Sequence, residues 1–487
     1  MILLKKVNFS ILKIFVSAIF LYLFLIILFY YLNIFNYSNE QSSLVFLHLS
    51  SIISFYYFWK KINWGTAKYD SFGSLIILIS IIFRITSIID TVFFNTRFDA
   101  WPPFVTIQSS LLFLHYKGEF ITQLGILLMV STWRISVNKL INHFSLSNIL
   151  NYFISHDFKI LYIFGLLFIL IIKIFKINSI ILEQLFYVIN ISTIASIYFI
   201  LLLNNNLNKY AKLLFAFLLA LPLFILSLNT GSKETMFLPL IPLLLIYIKY
   251  FKNLFSRITL LISIVVIISI SQLYIVIVRQ LTWADNVSIS TKDLINGTFE
   301  NFDSDLFFLG IEQISLRINP TLSHAITVGI EERDGILPKD IFYKIPYSFI
   351  PRIIWPNKPK ILTGAEHTQR ILQSNKDISE ISTSTPAGFF TELYLGGGIA
   401  GVIFFSIFYG FLICKIQINI LFKFPIEANF IYIFYVLYNS IRFDEFTISY
   451  AITGSILFYL NFMLLFIILF LFKKLFKNMN LNLIKSI

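Results

Sequence analysis

Between Ile345 and Pro359 the chain reads IPYSFIPRIIWPNKP, four prolines in fifteen residues. Proline fixes φ, lacks an N–H and biases the residue before it towards extended backbone, so the stretch predicts a rigid extended path and no regular helix. Arg352 and Lys358 ride on that path with Trp355 between them. A guanidinium offers a bidentate fork and an ammonium a point charge, groups suited to a lipid-linked pyrophosphate or to anionic headgroups alone. Arg279 and Arg317 belong to the same polar segment and complete a cationic set. For removing a proton the candidates are Glu392, at the edge of an apolar run whose surroundings suit a general base, and His324. His367 shares the polar segment, and an ordinary polar role serves either histidine equally well.

Other charged residues extend the inventory. Arg84 and Asp90 share one apolar run, where charge is expensive and tends to be functional. Six residues apart, they do not share a helix face, so Arg84 either pairs with another span or touches substrate. Asn229 to Thr235, NTGSKET, is a tight polar turn in which Lys233 can meet an anionic headgroup or pair with Glu234. Its spacing is not that of a P-loop. Asp303-Ser304-Asp305 has the form of a metal-holding acidic triplet, a pattern common by chance. No two histidines have metal-ligand spacing, and the lone Cys414 excludes an internal disulfide and a cysteine zinc site. No cofactor and no metal is therefore expected.

The elements that position these residues follow from composition. Of 487 residues 57% are hydrophobic and 13% charged, and the mean hydropathy is +0.82. Soluble chains carry about 25% charged residues, so a soluble enzyme, a nucleic-acid-binding protein and a disordered scaffold are excluded. A bilayer core takes about 20 apolar residues as helix. Twelve spans are expected, near 11–35, 44–59, 72–93, 116–135, 160–178, 181–203, 213–229, 236–251, 258–278, 386–414, 428–443 and 448–472. The run from Phe104 to Leu114 is too short to cross and reads as re-entrant or interfacial. Alternate span ends collect lysine and arginine, among them Lys5, Lys6, Lys60, Lys61, Lys249, Lys252, Lys473 and Lys474. The opposite ends hold only Arg97, Lys117, Lys173, Lys176, Lys233 and Arg442, which places both termini in the cytoplasm and explains much of the net charge of +13. The chain thus reads as an all-α polytopic integral membrane protein. It comprises a nine-span region (1–278), one long extracytoplasmic loop between spans nine and ten (279–385) and a three-span region (386–487). Within the loop, Asp340 to Trp355 has the aromatic and basic character of a segment at headgroup level.

Many spans, one long late loop and three motifs together resemble the O-antigen polymerases, the Wzy-type oligosaccharide repeat-unit polymerases. The motifs are Gly231-Ser232-Lys233, Pro351 to Pro359, and Thr385-Pro386 through Glu392 and Tyr394 to the glycines 396–398. Lys233 stands where many relatives have arginine. The resemblance implies a GT-C-like fold and a metal-independent glycosyltransferase of the bacterial inner membrane. It would join undecaprenyl-pyrophosphate-linked oligosaccharides on the periplasmic face, alongside membrane lipid, a chain-length regulator and other polysaccharide assembly proteins. In that role Arg352, Arg279 and Arg317 surround the pyrophosphate, with Lys358 in support, and Glu392 or His324 serves as base. Lys233, Trp355 and Arg84 would contact substrate. An O-antigen ligase-like transferase, a flippase or transporter of lipid-linked oligosaccharide, and a non-catalytic interaction protein are the alternatives.

Overall fold

A computed structural model describes residues 2–31, 40–62, 71–89, 91–92, 111–141, 155–175, 180–204, 206–228, 238–250, 321–350, 355, 363–372, 387–423, 447–449, 451–460 and 462–464. Helix is the one regular structure among them. In chain order the elements are α1 (Ile2–Tyr31), α2 (Glu40–Lys61), α3 (Ser71–Ile89), α4 (Leu111–Ile141), α5 (Ser155–Phe175), α6 (Ile180–Leu203), α7 (Lys209–Leu228) and α8 (Ile241–Tyr250). They continue with α9 (Thr321–Asp334), α10 (Pro338–Phe342), α11 (Lys344–Phe349), α12 (Thr363–Leu372) and α13 (Phe389–Lys423), and an apolar helix α14 occupies Ala451–Leu464.

Among the described residues five helices are long and apolar enough to cross a membrane: Ser10–Leu28, Ser42–Lys61, Leu112–Val137, Lys209–Leu226 and Phe389–Ile420. Side-chain placement says the same. On α1 the stripe Leu12, Val16, Phe20, Phe24 and Ile27 is exposed, Phe20 by 67%, whereas Arg84, Glu119, His48, His115 and Gln123 are buried. Apolar residues outside and polar residues inside is the arrangement a helix bundle takes in lipid, which solvates leucine and phenylalanine as well as a core does. The chain is a helical membrane protein. The expected spans 258–278 and 428–443 lie outside the described residues.

Central to the bundle is α4, and small residues let its neighbours approach. A Cβ on Gly118 would fall 3.2 Å from His324 of α9, and one on Gly125 would collide with the ring of Phe390. A Cβ on Gly410 would collide with the Met129 carbonyl. Trp133 is fully buried and its indole N–H donates to Gln417 Oε1 at 2.8 Å. The helix begins at Leu111, so the last residues of the Phe104–Leu114 run belong to this long element and not to a separate interfacial piece.

Two expectations need correction. The run 386–414 is not one straight span. Within α13, Gly397 and Gly398 are non-helical, and Gly398 has φ +59°. Phe389 and Tyr409 would stand about 30 Å apart along a continuous helix, at 1.5 Å per residue, yet their rings are 5.1 Å apart. A Cβ on Gly401 would lie 2.7 Å from the Leu393 carbonyl. The chain therefore doubles back. Residues 389–396 form a short re-entrant limb antiparallel to 399–423, and the glycines make the bend that a side chain would obstruct. The second correction concerns Ile345–Pro359, whose beginning is helical: α11 carries Pro346 in its first turn. The N–H groups of a first turn have no intrahelical acceptor, so proline costs nothing there. Helix α11 ends at Phe349, and Ile350 is extended as expected.

Candidate functional site: a cap seated on the re-entrant limb

Helices α9 to α12 form a cap on the end of the bundle where α4 begins. Residues 324–330 of α9 are buried against α4 and the re-entrant limb. The Leu337 N–H donates to the Leu395 carbonyl at 2.8 Å, and Phe342 stacks on Phe405 with centroids 4.7 Å apart. At the corner Lys117 holds three elements together. Its ammonium lies 3.3 Å from Glu331 and 3.1 Å from Glu332 of α9, and 5.1 Å from the ring of Tyr394 on the limb.

Glu392 sits at the centre of the limb, 3% exposed, and its carboxylate accepts the backbone N–H of Ile448. Ala451 N–H already donates to Thr447 at 2.9 Å, so Ile448 carries one of the unpaired donors of a helix start. Glu392 thus caps α14 from across the bundle. The ammonium of Lys344 on α11 is near enough to be attracted by Glu392 and by Asp340. Burial nonetheless pulls Lys344 below the usual lysine range, with Arg370 adding to the fall. Lys344 pairs with Glu366, and Arg370 pairs with Asp340. Arg333 grips Asp334 with two bonds of 2.7 Å, which hold the Asp334 carboxyl below its ordinary value, and also donates to the Arg370 carbonyl at 3.1 Å.

His324, 1% exposed, faces α4. The Thr122 hydroxyl donates its one proton to the Gly118 carbonyl at 2.9 Å, so it must accept from His324 Nδ1, 3.2 Å away. That assignment puts the ring proton on Nδ1 and makes Nε2 the basic nitrogen. One turn along α9, Thr327 donates to Ser323 at 2.8 Å and lies 3.2 Å from the carbonyl of Ala387, where the limb begins. Its oxygen therefore accepts from His367 Nε2, 3.0 Å away. Thr391 donates to the same Ala387 carbonyl. The two loop histidines thus act on the seam between cap and membrane helices.

Arg84 is buried and paired with Glu119 of α4 through Nε–Oε1 at 2.7 Å and Nη2–Oε2 at 3.1 Å. Its guanidinium also lies over the ring of Phe55 at 5.4 Å. His324 packs against Gly118, the residue next to Glu119 on α4. Arg84 and His324 consequently belong to one polar cluster, while Glu392 belongs to another with Lys344. Trp355 packs against Tyr347 at 5.2 Å. Arg352, Arg279, Arg317, Lys358 and Lys233 lie outside the described residues, as do Asp90, the 303–305 triplet and Thr383–Pro386. Glu119, Lys344, Glu366, Asp340 and Arg370 went unnoticed as site residues. Glu119 left a signal only as an acid inside an apolar run, and nothing in the sequence paired it with Arg84. Among the described residues no three His, Cys, Asp or Glu side chains gather in a way that could hold a metal ion.

Comparison with known proteins leaves the chain without a match: no family model, no curated protein and no solved structure is similar to it.

Proposed function

We propose that this protein is a polymerase of surface polysaccharide, a metal-independent glycosyltransferase joining undecaprenyl-pyrophosphate-linked oligosaccharide repeat units. It works in a bacterial inner membrane with about twelve spans, both termini in the cytoplasm and the cap on the periplasmic side. The observation that carries the reading is the cap itself, seated directly on the limb that holds Glu392. The proline-rich stretch with Arg352 and Lys358 joins α11 to α12, both parts of that cap. In the reaction a hydroxyl of the incoming unit attacks the anomeric carbon of the growing chain. The new C–O bond replaces the bond to pyrophosphate, which leaves on the polyprenol. Arg352, Arg279 and Arg317, supported by Lys358, neutralise the charge developing on that leaving group, work that preorganised cations perform without a metal. Glu392 takes the proton from the attacking hydroxyl, and His324 holds the cap in register through Thr122.

A transporter of lipid-linked oligosaccharide is the second reading. The broken limb favours it, because half-helices at membrane depth line the substrate sites of many transporters. A surface-glycan gel of cells lacking the protein separates the readings. Lipid carrying one repeat unit and no ladder supports the polymerase. Polymer held on undecaprenyl pyrophosphate points to a ligase, and no repeat unit outside points to transport.

A further inference from the structure

We propose that Tyr343, Tyr347 and Trp355 on the cap form a saccharide-binding platform that receives the acceptor glycan. The proposal rests on the polymerase reading for the glycan's role, though binding can be measured without it. Tyr343 and Tyr347 are one turn apart, with centroids 4.4 Å apart and planes at 65°, and Trp355 continues the series at 5.2 Å and 54°. Tyr343 is 61% exposed, so the outer end of the ladder is open. The backbone leading into Tyr343 is fixed. Ile341 and Phe342 pack where Gly396 leaves room, and the Leu337–Leu395 bond ties the strip to the limb. Rings that hold one another edge-on lose little freedom when a ligand arrives.

A pyranose presents a face of C–H bonds, which stacks on an aromatic ring with release of water, and a rim of hydroxyls, which need donors and acceptors. Both requirements are met within one short strip. Asp340 and Lys344 are on the same strip as the tyrosines, and their pairs with Arg370 and Glu366 supply planar and charged hydrogen-bonding groups. Lys344 lies between the two tyrosines in sequence and is the same ammonium that Glu392 attracts. A sugar on the ladder therefore brings its hydroxyls towards the group proposed as base. Tyrosine and tryptophan also anchor proteins at the headgroup level of a bilayer. Here, however, the charges that share the strip are paired, Asp340 with Arg370 and Lys344 with Glu366, so these pairs offer anionic lipid no net positive charge.

The test uses full-length protein in nanodiscs and the repeat-unit oligosaccharide released by mild acid from the producing cell's own surface glycan. The tryptophan emission of Trp355 is isolated as the difference between wild type and Trp355→Phe. The proposal expects a saturable change in that emission on titration. Tyr347→Ala, checked by its melting curve, should weaken binding about tenfold, and Tyr347→Phe, which keeps the ring, should bind within about threefold of wild type. Equal titrations for wild type and Tyr347→Ala overturn it. So does Trp355 emission quenched by brominated lipid and indifferent to sugar, which makes the ladder a bilayer anchor. If saccharide binds but the protein never elongates a lipid-linked unit, the platform stands and the polymerase reading falls. If Tyr347→Ala elongates with wild-type kinetics at every acceptor concentration, the platform falls and the polymerase reading stands.

Discussion

Arg84 and Glu119 show what a charge inside a membrane bundle requires. Neither group can reach water, and each satisfies the other through two bonds. Removing one partner leaves the other buried and uncompensated, which costs about 3–5 kcal/mol. Glu119→Gln should therefore lower the melting temperature of the detergent-solubilised protein sharply, while the double variant Arg84→Met/Glu119→Leu recovers most of the loss. A double variant as unstable as the single one would show that the pair does more than neutralise itself. Arg84 was recognisable from the sequence as an expensive charge, because it stands mid-run with Asp90, near the end, as the run's other charge. Its partner was not, since the two residues are 35 positions apart and only the packing of α3 on α4 brings them together. The same holds for Glu392. The residue type suggested a base, but the N–H of Ile448 that it accepts comes from a distant helix start. Glu392→Gln keeps the shape and loses the base. It should reduce elongation by about 10²–10⁴-fold with little change in melting temperature, measured on lipid-linked substrate. Elongation at the wild-type rate would exclude Glu392 as the base. A Thr122→Val variant removes the oxygen that fixes the His324 tautomer; it should loosen the cap, read as faster amide exchange over α9, whereas Thr122→Ser should not.

At the scale of elements, the re-entrant limb decides the geometry. Hydropathy is a scalar and carries no direction, so 386–414 reads as one span although the chain reverses inside it. The glycines were visible, yet close helix packing explains glycines as well as a bend does, and the positive φ of Gly398 is a property of the fold alone. Gly398→Ala should destabilise by about 1–3 kcal/mol, because φ +59° with ψ −155° is a region essentially only glycine occupies, and Gly398→Asn, whose side chain helps only at the ψ of a left-handed helix, by at least as much. Thermal melts of the two variants check the order. Gly125→Ala drives a methyl into the ring of Phe390 and should displace the limb, lowering both stability and elongation, and Phe390→Leu in the same chain should restore part of both. Proline misled in the opposite sense. Four prolines argued against helix throughout Ile345–Pro359, but a proline in a first turn is harmless, and α11 forms around Pro346. The Asp334 carboxyl, held low by Arg333, stabilises the end of α9 at neutral pH. That contribution fades as pH falls from the ordinary aspartate value of 3.8 through the lower folded value, and it is small because the pair is partly exposed.

For the whole molecule, composition was the strongest guide. A chain with 57% hydrophobic and 13% charged residues has to place its polar groups inside or at its ends, and the described helices do so. The polar segment that holds the cap was legible in the sequence, but its seat on the limb was not, because nothing in a linear pattern says which span a loop folds back upon. In the proposed polymerase that seat divides the labour: membrane helices hold the cap, and the cap carries the rings offered to the glycan. The most direct test supplies purified protein in nanodiscs with undecaprenyl-pyrophosphate-linked repeat unit, in chelator and without nucleotide, and resolves the products on a gel. A ladder of lengthening lipid-linked glycan, lost in Glu392→Gln and Arg352→Ala, is the result expected. Repeat unit recovered at its original length, with wild type and variants alike, would contradict the account.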